Sequence, residues 1–249
     1  MKSIAALNLP TTKADIVVHH FGFVRDSEKA RHSKNDLYHA LGEAKLLESP
    51  DDVQALIEVG ISHLEHYKKP EAALAYFKRA REIDPNCSTA WLFSDVCLSR
   101  LEKLDEALAH LQQAKDLGLH TGVLYQAEGD AHFQKGNFAE ANKAYVEMER
   151  RGEASPLTET KRGASEVYLG QIQAGLDRIE QAVSSAPHAG KLYDILAPAA
   201  LLAGRLPLAV RAMQARIPLG NLTEFHEQLV AILQARFNEQ AGQCTPNAG

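Results

Sequence analysis

Five small residues stand 34 positions apart along this chain: Ala73, Ala107, Ala141, Gly175 and Ala209. Four positions after each comes a large apolar side chain, Phe77, Leu111, Tyr145, Ile179 and Met213. Residues four apart share one face of a helix. The small residue lets two helices approach closely, and the large one fills the gap beside it. A repeat of this length is a pair of helices that cannot bury its own apolar face and does so by stacking on the next pair. The chain is therefore expected to be an all-α solenoid.

A second column precedes the first in each unit. It holds Asp95, Gly129, Gly163 and Ala197 at the same period, and Gly60 starts it 35 residues before Asp95. Unit one thus carries one extra residue, placed most naturally in the turn His66-Tyr67-Lys68-Lys69-Pro70. Gly136, Gly170 and Gly204 mark the equivalent turn in the last three units, where positive φ ends a helix. Trp91, Tyr125 and Tyr193 share an early helix position, and Pro85 and Pro187 end units one and four.

This order of aromatic, Gly, Ala, aromatic and Pro positions resembles the tetratricopeptide repeat over roughly residues 51–219. The resemblance implies a right-handed superhelix of about five helix pairs over 49–219. Units four and five depart from the pattern: Gly175 replaces Ala, and Arg216 occupies a usually small site. Pro198 removes one backbone hydrogen bond inside a helix and is expected to kink it.

Composition narrows the function classes. Hydrophobic residues make up 45% of 249, enough for one continuous core, and aromatics only 6%, as expected of closely packed helices. The net charge of −5 without a basic run speaks against nucleic acid as a partner. No apolar run approaches membrane-spanning length, and the N-terminal one is too short for a signal peptide. Cys87, Cys97 and Cys244 are odd in number and lack metal-ligand spacing, so reduced thiols in a cytoplasmic protein are expected.

Both ends differ from the repeats. Within 220–240, Asn221-Leu222-Thr223-Glu224 reads as a helix start. Leu222, Phe225, Leu229, Leu233 and Phe237 then follow helical spacing, predicting a helix that caps the last repeat. Residues 241–249 are expected to be a disordered tail. In the N-terminal segment 1–48, Asp15 to Val24 reads as a short strand rich in β-branched and aromatic residues. A charged helix is predicted from about Ser27 to Leu47, with Leu37, Tyr38, Leu41 and Leu46 as its apolar residues. An unpaired strand edge makes a homodimer possible by strand addition.

The run Val17-Val18-His19-His20-Phe21-Gly22-Phe23, then Lys29, Lys34-Asn35-Asp36-Leu37 and Ser49-Pro50-Asp51-Asp52, is similar to a known junction. It resembles the point where family 2 glycosyltransferases pass from the catalytic domain into C-terminal tetratricopeptide repeats. The resemblance implies that the chain is the accessory, non-catalytic part of such an enzyme. Lys34 stands where the pattern has Arg, and no Asp-x-Asp triplet is present to bind a metal diphosphate. His19 and His20 point to opposite faces of a strand, which disfavours joint ligation of one ion.

No other catalytic signature is found: no Gly-x-Gly-x-x-Gly, phosphate loop, His-Glu-x-x-His or Gly-x-Ser-x-Gly. His63 and His66 have a spacing that can share an ion, but no third ligand lies nearby in sequence. The expectation is no catalytic residue, no cofactor and no metal.

Binding then falls to the first helix of each unit, which lines the concave face of tetratricopeptide arrays. The inward positions are Ile57, Ile61 and Leu64, then Leu92, Val96 and Arg100, then Gln126, Asp130 and Phe133, and finally Tyr168 and Leu201. This mixed face suits a protein or peptide segment held by apolar contacts and a few hydrogen bonds. It lacks the Lys and Asn arrangement with which some family members clamp a C-terminal carboxylate.

Overall fold

A computed structural model of the chain describes residues 28–220, 222, 227–233 and 235, with side chains from Asp36 onward. Among these residues all regular structure is helical. The helix α1 (Glu28–Glu48) precedes five pairs. The pairs are α2 (Val53–Glu65) with α3 (Pro70–Ile83), α4 (Ser88–Arg100) with α5 (Leu104–Asp116) and α6 (Gly122–Gln134) with α7 (Phe138–Arg150). Then come α8 (Pro156–Tyr168) with α9 (Ile172–Ser185), and α10 (Gly190–Leu202) with α11 (Leu206–Arg216). The expected strand with His19 and His20, and the tail 241–249, lie outside the described residues.

Local chemistry sets the helix boundaries. The side chains of Asp52, Thr121 and Ser155 each accept a hydrogen bond from the amide three residues on, capping α2, α6 and α8. Four residues separate α2 from α3, where every later pair is joined by three, so the extra residue of unit one lies in its turn. Gly136, Gly170 and Gly204 adopt positive φ at that turn, and Lys68 and Glu102 take the same left-handed conformation in units one and two. The early aromatic residues are tethers. Trp91 Nε1 donates to the Pro85 carbonyl, and Tyr193 Oη donates to the Pro187 carbonyl, both at 3.0 Å. Each bond fixes the loop that enters the next unit.

Within each pair the two sequence columns meet. A Cβ on Gly60 would lie 2.6 Å from the Phe77 ring, and the Tyr145 ring lies against Gly129 in the same way. Phe77, Leu111, Tyr145, Ile179 and Met213 are all essentially buried. Removing such side chains from water stabilises by about 1.5–3 kcal/mol each. First helices also touch across unit boundaries, α2 to α4, α4 to α6, α6 to α8 and α8 to α10. The second helices reach the next unit through its first helix, which puts α2, α4, α6, α8 and α10 together on one face of the array.

The departures in units four and five have physical causes. Gly175 faces Gly163 across the α8–α9 contact, and a Cβ on Gly163 would stand 2.6 Å from the Gly175 carbonyl oxygen. Arg216 is buried because its Nε donates to Asp194 at 2.6 Å and its Nη1 to the Gly220 carbonyl at 2.5 Å. Helix α10 runs through Pro198 to Leu202. Beyond the repeats, residues 227–233 are helical, and Leu229 and Leu233 are buried in the apolar cluster of the last two units. Those two side chains cover what would be the open end of the stack.

The N-terminal helix differs from expectation. Leu37, Tyr38 and Leu41 are exposed, and α1 docks instead through His39, Gly42, Glu43 and Leu46. The cause is Gly42, whose missing Cβ lets α1 close to within contact of Val59 and so selects the face presented to α2.

Candidate binding face

The face built by the first helices is where the sequence places the ligand. Three of the expected residues have no surface to offer. Ile57 and Leu64 are buried in the cluster that joins units one and two, and Leu92 in the one that joins units two and three. They point between neighbouring helices, because a helix wedged among three others hides most of its apolar stripe. Val96 also packs against the first cluster but stays half-buried, as does Ile61.

Two polar residues of the set are committed to holding units together. Arg100 donates from Nη1 to the Leu64 carbonyl and from Nη2 to Glu65, each at 2.6 Å, and so ties unit two to unit one. Asp130 accepts from Tyr145 Oη at 2.8 Å and pairs with Lys161 at 2.7 Å, which ties unit three to unit four. Deeper in the same face lies Asp95, almost fully buried beside Ser99. Burial pushes its pKa up to about 7; the Ser99 hydroxyl opposes the rise and the Asp130 charge adds to it. Gln126 is half-buried on α6.

Leu201 is half-buried against the cluster of the last two units, whereas Phe133 and Tyr168 belong to a larger feature. Phe138 stacks on Tyr168 with ring centroids 4.0 Å apart and planes 4° from parallel, and Phe133 meets Phe138 edge-on at 5.4 Å. Tyr168 and Leu202 hold equivalent repeat positions, and both are exposed, at 44% and 55%. Leu169 in the adjoining turn and Ile172 at the start of α9 are exposed as well. The turn-side edge of units three to five is thus an apolar ridge with an aromatic stack at its centre. Phe138, Leu169, Ile172 and Leu202 were not singled out from sequence, since they sit in turns and helix ends rather than on the first-helix stripe. The 34-residue relation of Phe138 to Ile172 and of Tyr168 to Leu202 is the signal that marks them.

Histidine placement also differs from the sequence reading. His63 is brought to His39 and Glu43 of α1, which lie 24 and 20 residues before it. The i,i+4 spacing of His39 and Glu43 was legible, but its link to His63 required the α1–α2 packing.

No known family profile matches the chain. U-box domain-containing protein 70 of Oryza sativa subsp. japonica is 24% identical over 148 residues, which are 57% of this chain and 18% of that protein. The chain therefore spans less than a fifth of that relative. A tetratricopeptide repeat protein from Parabacteroides merdae superposes with a TM-score of 0.69 at 13% identity, over 88% of this chain and 90% of that one. A thermophilic TPR protein of Thermus thermophilus gives 0.60 at 18% identity, over 74% and 99%. YrrB, a TPR protein with an unusual peptide-binding site, gives 0.59 at 15% identity, over 78% and 97%. The fold of this chain is the tetratricopeptide-type α-solenoid.

Proposed function

We propose that this chain is a non-catalytic scaffold that binds a peptide or protein segment along the repeat face, with the ridge around Tyr168 as its anchor. The observation that carries the reading is the row of exposed Tyr168, Leu169, Ile172 and Leu202 beside the half-buried rings of Phe133 and Phe138. Contiguous exposed apolar surface rimmed by polar groups marks protein contact sites, and aromatic anchors carry much of the energy of such contacts. The peptide-binding site of YrrB, on a related fold, lends support. Acidic net charge and unpaired Cys87 and Cys97 favour a cytoplasmic setting and a protein partner over nucleic acid.

The test is selection from a random peptide library with the wild-type chain, followed by titration of the winners against Tyr168→Ser/Leu202→Ser. Peptides that lose at least about tenfold in affinity support the ridge. Peptides bound equally by both proteins overturn its role, and a library that yields no binder overturns the scaffold reading itself.

A second reading keeps the same surface and changes its context. The run from Val17 to Asp52 similar to the family 2 glycosyltransferase junction suggests an accessory region that positions the acceptor or mediates oligomerisation. A native reading frame with an Asp-x-Asp-bearing domain upstream supports it, and a native start at Met1 removes its strongest form. Homodimerisation is checked by sedimentation across a range of concentrations.

A further inference from the structure

We propose that His39, Glu43 and His63 form a binding site for one divalent transition-metal ion of the zinc class, and that the ion staples α1 to the first repeat. A ligand atom from each of the three side chains lies within 4.8 Å of the other two. Around a tetrahedral zinc ion the ligand atoms stand roughly 3.3 Å apart, so closure needs small side-chain rotations and no rearrangement of the helices. Two imidazoles and one carboxylate are a donor set that zinc accepts, with a fourth position left for water.

The surroundings fit a ligand set better than plain packing. Nδ1 of both His39 and His63 is buried without a hydrogen-bond partner, an arrangement that costs free energy until something binds those nitrogens. Glu43 is already oriented, because Tyr76 Oη donates to its Oε1 at 2.7 Å and leaves Oε2 available. Hydrogen bonds of this kind to a ligating carboxylate are a usual feature of metal sites. The rings are held as well: His63 stacks on Tyr76 at 5.2 Å, and His39 meets His63 and Tyr67 edge-on, each at 4.9 Å. His39 also lines a hollow of about 440 Å³ between α1 and α2.

The experiment is calorimetric titration of zinc chloride into the full chain after chelator treatment, with hydrogen exchange of residues 28–48 as a second readout. We expect one saturable equivalent and slower exchange in α1. His39→Ala and His63→Ala should each weaken binding by about tenfold or more, while His66→Ala leaves it unchanged. Glu43→Gln keeps an acceptor for Tyr76 and should still lose affinity. Thermal melts of the metal-free variants confirm that they fold, and His39→Gln replaces His39→Ala if the latter does not. Absence of saturable binding by the wild type overturns the site and leaves an aromatic packing cluster. Equal zinc binding by the wild type and the His39→Ala/His63→Ala double variant overturns it too, since the ion then sits on other histidines.

Discussion

Gly163 and Gly175 face each other where α8 meets α9, so closely that a Cβ on Gly163 would stand 2.6 Å from the carbonyl oxygen of Gly175. Gly175 looked like decay of the repeat pattern, because the four equivalent positions hold Ala. It is instead half of a matched pair that allows backbone-to-backbone contact. Gly175→Ala restores the consensus residue and should nevertheless destabilise the protein by about 2 kcal/mol or more, since the contacted atom is backbone and cannot rotate away. Urea unfolding of the variant checks this; a change of sign would mean that α8 and α9 separate at little cost.

Turn conformation gives a prediction of opposite sign. Glu102 holds φ of 60°, the left-handed region that Gly136, Gly170 and Gly204 occupy in later units. A non-glycine residue there costs roughly 1 kcal/mol. Glu102→Gly should therefore stabilise by about 0.5–1 kcal/mol, less the greater backbone freedom of Gly in the unfolded chain. Its melting temperature should rise slightly above that of the wild type.

Asp95 makes stability depend on pH. Burial raises its pKa from 3.8 to about 7, so between those values the folded chain holds a proton that the unfolded chain has released. The contribution is fully present below pH 3.8 and is lost as pH rises through about 7. Asp95→Asn, which stays neutral, should be close to wild type near pH 3.5 and gain on it as pH rises, by up to about 4 kcal/mol at pH 8. Denaturant titrations at the two pH values check it. A gain that is equal at both would assign the effect to packing.

Arg216 tests the last unit. Its guanidinium is buried against Asp194 and the Gly220 carbonyl. Arg216→Ala leaves the Asp194 carboxylate without this partner and opens space beneath Gly190, and should cost about 3–5 kcal/mol. Arg216→Met fills the space and should cost less, especially combined with Asp194→Asn. Comparison of the three melting curves separates charge from volume.

Much of the architecture is legible in the sequence, because a periodic fold writes each contact several times. The 34-residue columns mark Gly60, Gly129, Phe77 and Tyr145 as repeat positions, and they locate the extra residue of unit one. The binding face is less legible. Position within a first helix says that Ile57, Leu64 and Leu92 turn inward, but not whether inward means the groove or the neighbouring helix. The same ambiguity covers Arg100 and Asp130, whose charges are taken up by the adjoining unit.

Local and near-neighbour physics fixed what the sequence determined by itself: helices, caps, turns and the stacking of identical pairs, all encoded within about one repeat length. Tertiary structure alone decided what depends on relations between different units or on departures from the repeat. The docking of α1 by Gly42 brought His39 and Glu43 to His63, and the Gly163–Gly175 contact drew α8 onto α9. The packing of unit three against unit four stacked Phe138 on Tyr168. In each case the partners are set by which backbone can approach which, a property of the assembled surfaces that no single helix carries.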